Sequence, residues 1–341
     1  MSSLSRLWRP RLLMLALLAS LLWWGLSNIP LGEIGATLSR LTLGQILAII
    51  GINLLVLVSF TSRWWLILRS LGHHIPFIQL VGYRLAGFGL SYFTPGPQFG
   101  GEPLQIHLTR TRHPVPTSSA IAAVSLDKLF ELLANFSFLA IGILAITRSN
   151  LFHNRPAAPF VLLAGLLLLL PAVYLLSLRA GWRALRWVFR RTPRRILLHP
   201  FAQKTSQALL SSEAHMIHFC QQRFTSLLLA LAISLFSWIL VVTEYWLTLT
   251  FLGQPLELAQ VLSLLTAARM AFLLPSPGAL GTLEASQILM MQALGLNPAL
   301  AVSVGLLIRG RDLVLGSLGL GLGSCLSRRE PLNAMPSQAG D

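Results

Sequence analysis

Apolar residues gather in long runs near Arg11 to Ser27, Leu43 to Thr61, Thr117 to Thr147, Ala157 to Leu178, Thr225 to Leu252 and Pro298 to Ser324. Each is about long enough to cross the roughly 30 Å hydrocarbon core of a bilayer as a helix. Two further apolar segments, around residues 77 to 110 and 258 to 296, are interrupted by proline and glycine. The pattern predicts an all-α polytopic membrane protein with about six transmembrane helices. A single membrane domain is expected over residues 1–329, followed by a short disordered polar tail at 330–341.

Composition agrees with this pattern. The 341 residues are 54% hydrophobic and only 11% charged, with a mean hydropathy of +0.69, outside the range of soluble domains. A net charge of +15 could point to nucleic acid. The basic residues, however, lie between and beside the apolar runs, so an anionic membrane surface is the expected partner and nucleic acid is not. Cys220 and Cys325 match no metal or redox spacing, and no metal or cofactor is expected. Arg6, Arg9 and Arg11 precede the first run as in a signal peptide, but Trp23, Trp24 and Asn28 follow it in place of a small-residue cleavage site, so an uncleaved first span is expected.

The charge bias sets the orientation, since cytoplasmic loops hold the excess of Lys and Arg. Arg6, Arg9 and Arg11 place the amino end inside; Arg328 and Arg329 do the same for the carboxyl end. The connector at about 179–224 carries Arg183, Arg186, Arg190, Arg191, Arg194, Arg195 and Lys204 against Glu213 alone, and is also expected in the cytoplasm. Its arginines recur at helical spacing opposite Trp182, Leu185 and Phe189, as in an interfacial helix or a solvated charge run that enforces topology. Six spans satisfy the bias if the two broken segments each enter and leave on one side, as re-entrant helical hairpins.

The two broken segments resemble each other. Pro95-Gly96-Pro97-Gln98-Phe99-Gly100-Gly101-Glu102 stands beside Pro275-Ser276-Pro277-Gly278-Ala279-Leu280-Gly281-Thr282-Leu283-Glu284. Gln105-Ile106 and Gln287-Ile288 follow at the same distance from each acid, then Pro116 and Pro298. Within the next spans lie Lys128 with Glu131 and Arg309 with Asp312, a basic-x-x-acidic pattern in both. The match delimits one repeat at about 43–147 and a second at about 225–324, and the charge rule gives them opposite topology. This is the inverted-repeat plan in which broken helices form a site near the bilayer midplane.

Proline removes a backbone donor and glycine permits a sharp reversal, so the chain can turn within a membrane only where protein or water satisfies the freed groups. Helices restarting after Gly100-Gly101 and after Gly281 would aim free N–H groups and a positive dipole end into that cavity. Gly96, Gly100, Gly101, Pro277, Gly278 and Gly281 are therefore expected to shape that cavity, with Glu102 and Glu284 at its edge. Each glutamate could cap its helix, hold a coupling proton or cation, or pair with a substrate amine. Arg84 and Arg269, one upstream of each break, suit bidentate phosphate contact or snorkelling to the interface. Arg63-Trp64-Trp65 reads as an interfacial anchor.

Asp127, Lys128, Glu131, Arg309, Arg311 and Asp312 lie inside apolar spans, where each would cost about 2.5 to 3.5 kcal/mol at a helix centre. Helical spacing puts Asp127 and Glu131 on one face, with Lys128 in reach of Glu131 and Arg309 in reach of Asp312. Three bases balance three acids. Such a network either joins the repeats structurally or acts on substrate or protons.

Pro-Gly-x-x-x-Gly-Gly-Glu-Pro, from Pro95 to Pro103, and Pro-x-Pro-Gly-x-x-Gly-x-x-Glu, from Pro275 to Glu284, resemble signatures of the flippase-like family related to the membrane region of lysylphosphatidylglycerol synthase. The likeness covers nearly the whole chain. It implies an inner-membrane protein that translocates or positions polar lipids of anionic or zwitterionic headgroup. The synthase relatives add a soluble transferase domain, for which this chain leaves no room, so synthase activity is not expected. Pro97-Gln98-Phe99 and Asp127-Lys128 depart from the usual family pattern, which leaves the substrate open. The alternatives to a flippase-like transporter are a membrane-embedded headgroup transferase, a noncatalytic partner that supplies lipid to a biosynthetic enzyme, and a small-solute transporter.

Overall fold

The computed structural model of the chain describes residues 41–94, 100–148, 158–191, 200–273, 282–297 and 299–328. The first expected span, the tail, and the break residues Gly96, Pro277, Gly278 and Gly281 lie outside the described residues. Eleven helices are described: α1 (Leu43–Ser70), α2 (Phe77–Phe93), α3 (Glu102–Arg112), α4 (Thr117–Arg148), α5 (Ala158–Arg179), α6 (Ala184–Arg191), α7 (Pro200–Gln222), α8 (Phe224–Phe251), α9 (Leu258–Ala271), α10 (Thr282–Ala293) and α11 (Ala299–Arg328).

A long, short, short, long order occurs twice. Leu43, Phe77, Glu102 and Thr117 start α1 to α4, and Phe224, Leu258, Thr282 and Ala299 start α8 to α11, at a separation of 180 to 182 residues throughout. Local chemistry sets these starts. Thr42 and Gln45 form a reciprocal capping box at α1, and Glu257 with Gln260 does so at α9, each satisfying backbone donors that the helix itself leaves free. Pro103 occupies the first turn of α3, where its missing N–H is not needed.

Among the described residues, α1, α4, α5 and α8 are long and apolar enough to cross a membrane. Their outer faces carry exposed large apolar side chains, such as Leu47, Leu54 and Leu55 on α1, Leu166 and Leu170 on α5, and Leu235 and Ile239 on α8. Such surface is stable against lipid tails and not against water. Helix α11 is as long, at 30 residues, but Arg309, Arg311 and Asp312 interrupt its apolar character.

The two four-helix sets interlock. Helices α1 and α8 pack together, with Ser59 bonded to Ser237 at 2.7 Å and Ser70 to Ser226 at 2.9 Å. The first number of each pair rises while the second falls, so the helices run antiparallel. Helix α2 lies along α11, and α9 packs on α4, so the first short helix of each set leans on the last long helix of the other. The α2 crossing depends on glycine: a Cβ on Gly319 would overlap the carbonyl oxygen of Leu85, and one on Gly89 would meet the backbone at Gly316 and Leu320. Small residues at such crossings let backbones approach closely where no water-driven force pulls helices together.

Among the described residues of the connector, α7 is more than part of a solvated charge run. Helix α7 packs on α4 and α5, burying Met216, Phe219 and Cys220. Its buried Glu213 accepts hydrogen bonds from the backbone N–H of Leu185 at 2.6 Å and Arg186 at 3.4 Å. That carboxylate caps α6, whose Trp187 is exposed and carries the Arg191 guanidinium 4.0 Å over its ring.

Candidate functional site

The ends of the short helices bring the charged residues together. Gly101 immediately precedes α3, and a Cβ there would overlap the carbonyl of Gly87 on α2, so only glycine allows α2 and α3 to close so tightly. Gly100 has φ of 150°, in the region that disfavours side chains. Its N–H donates to Glu102 Oε2 at 2.9 Å, and that of Gly101 donates to Ser91 Oγ at 2.8 Å. Glu102 is the first residue of α3, and its other oxygen lies 3.2 Å from Lys128 Nζ. The carboxylate therefore caps the turn and also holds a base on α4.

Around Lys128 a neutral cluster forms. Lys128 Nζ also reaches Glu131 Oε1 at 2.8 Å, the pair expected from helical spacing. Asp127, one residue earlier on α4, receives Arg63 Nε at 2.7 Å and Arg84 Nη1 at 2.8 Å. Arg84 Nη2 lies 3.8 Å from Glu131, so Arg84 spans the face that Asp127 and Glu131 share. Both arginines stand 5.5 Å over the ring of Phe60. Three acids thus meet three bases drawn from α1, α2, α3 and α4.

A second cluster forms at the corresponding place. Glu284, in the first turn of α10, pairs with Arg309 on α11 through Nε and Nη2, which share one guanidinium edge, with Nη2 to Oε2 at 2.7 Å. Arg311 binds Asp312 at 2.8 Å and also pairs with Glu244 of α8. Arg269, at the end of α9, lies 5.0 Å over the ring of Trp238. Its charged neighbours include Arg311, Glu244 and Asp312 of its own set and Glu131 of the other.

Several expectations change. Arg63 is not an interfacial anchor: α1 continues to Ser70 and the side chain is fully buried on Asp127 and Ser234. Arg309 does not take Asp312 as its partner, because the glutamate of α10 reaches it first and Asp312 turns to Arg311. Arg84 is held by carboxylates rather than snorkelling. Glu244 went unread as a lone acid within an apolar run, although an ionisable group in such a run is itself a signal of function. Outside the spans, burial first, then His215 and His74, holds the His73 imidazole below its ordinary value, and burial with Arg112 does the same for His113.

These features define a polytopic helical membrane protein with charged groups gathered between two interlocked helix sets. Residues 11–319 match the family described as the lysylphosphatidylglycerol synthase TM region, and the chain belongs to that family. It is also similar to a UPF0104 membrane protein of Methanothermobacter thermautotrophicus, 22% identical over 292 residues that cover 80% of this chain and 82% of that protein. Comparison with solved structures returns no significant match.

Proposed function

We propose that the protein is a flippase-like lipid transporter of the cytoplasmic membrane, in which a polar headgroup passes between the two broken hairpins while its acyl chains stay in lipid. The observation that carries this reading is the matched pair of links Glu102 to Lys128 and Glu284 to Arg309. Each ties the start of a short helix to a base deep in a long apolar helix, which is where a charged headgroup needs a path and lipid offers none. Membership of a lipid-synthase membrane family supports a lipid as the substrate.

On this reading six helices span the inner membrane with both termini in the cytoplasm, and α2 with α3 and α9 with α10 are re-entrant hairpins entering from opposite faces. The antiparallel contact of α1 and α8, and the exchange of short helices between the sets, support that inverted arrangement. The charges position and shield the headgroup and transform nothing, and an enzyme of lipid biosynthesis would supply or consume the lipid. Reconstituted protein should move an acyl-labelled phospholipid between leaflets. Glu102→Gln with Glu284→Gln should slow that movement by about tenfold or more, the factor for losing about 1.4 kcal/mol of headgroup contact. Wild-type rates in the folded double variant would remove these glutamates from the site.

A further inference from the structure

Each half of the site is balanced in charge. Arg63, Arg84 and Lys128 meet Glu102, Asp127 and Glu131, while Arg309 and Arg311 meet Glu244, Glu284 and Asp312, and Arg269 on α9 is the third base of that half. The balance in the second half is not a pairing. Arg311 holds two carboxylates, whereas among the described residues no carboxylate lies within ion-pair distance of Arg269. One face of the Arg269 guanidinium rests on Trp238. That ring is itself stacked on Phe138 of α4, with centroids 4.4 Å apart and planes at 18°.

A guanidinium held by its face keeps its N–H edge for a planar acceptor, and the fork matches a phosphate. A phosphate alone would leave the half with one uncompensated negative charge in a poorly solvated place, which is costly. A headgroup with its own cation removes that charge, and the second carboxylate on Arg311 is the group left to receive it. Resting on the lipid-transport reading, we infer that the site selects a zwitterionic phospholipid, with its phosphate on the edge of Arg269 and its ammonium toward Glu244 and Asp312. Trp238 and Phe138 act as the rigid platform that aims Arg269.

The test is equilibrium competition on the purified full-length protein, between phosphatidylethanolamine and phosphatidylglycerol of identical acyl chains, read by native mass spectrometry. Wild type should prefer phosphatidylethanolamine by on the order of tenfold, the effect of one unit charge at short range in a partly shielded site. Glu244→Gln should move the ratio toward phosphatidylglycerol, and Arg269→Gln should weaken both lipids, with partial rescue by Arg269→Lys. The ratio is measured within one sample, so loss of unfolded protein does not alter it. Equal or better binding of phosphatidylglycerol, a ratio unmoved by Glu244→Gln, or binding of neither lipid overturns the inference. Displacement by soluble glycerophosphoethanolamine at the lipid's own concentration overturns the lipid source. Leaflet movement is scored separately. A zwitterion preference without movement defeats the transport reading alone, and movement with a preference for phosphatidylglycerol defeats this inference alone.

Discussion

Asp127 is the residue on which the first cluster turns, because one carboxylate neutralises two guanidinium groups and one of them, Arg63, is fully buried. Deleting one member of a buried pair leaves the other charge desolvated without compensation. Asp127→Asn should therefore lower stability by about 3 to 5 kcal/mol, seen as a reduced unfolding temperature in detergent. Lys128→Met should cost less, since Lys128 and Glu131 keep 19% and 36% of their side-chain surface exposed and the partner left behind is less completely enclosed than Arg63. Equal losses in the two variants would contradict the burial difference. Arg63 also shows how a residue is misread from its neighbours: beside Trp64 and Trp65 it resembles a belt residue, but the helix does not end there.

At the scale of elements, the decisive contact is the crossing of α2 and α11, which joins the two helix sets through backbone rather than through large side chains. Gly319→Leu would force the backbones apart at Leu85, and overpacking of this kind costs about 1 to 3 kcal/mol. The expected readout is a lower unfolding temperature in detergent together with increased overall protease sensitivity. A stable, resistant variant would mean that the crossing can shift without consequence. Helix α6 depends on another element in the same way: its start is capped by Glu213 of α7, some 28 residues away.

At the scale of the whole molecule, two cysteines report on its arrangement. Cys220 is buried in the packing of α7, and burial pushes its thiol up to about 12, Arg179 opposing only in part. Cys325 is exposed near the end of α11. The thiolate is the reactive form, so a membrane-impermeant maleimide should modify Cys325 and leave Cys220 untouched in the folded protein. On the proposed orientation Cys325 reacts in inside-out vesicles and not in right-side-out ones, and the opposite result would invert the topology.

The order of the helices and the starts of the long ones were legible in the sequence, because hydropathy runs, caps and Pro/Gly breaks act within a few residues of one another. The restarts of α3 at Glu102 and α10 at Thr282 fall where the glycines placed them, and Lys128 found Glu131 within one turn. Tertiary structure alone decided which base meets which acid over longer separations. Arg63 and Asp127 are 64 residues apart, and Arg311 and Glu244 are 67 apart. Arg309 lay within a turn of Asp312, yet the folded chain offered it Glu284, 25 residues away, in a bidentate geometry. Helical spacing lists which partners are possible, whereas the packing of α8, α10 and α11 fixes which carboxylate arrives with the right distance and direction.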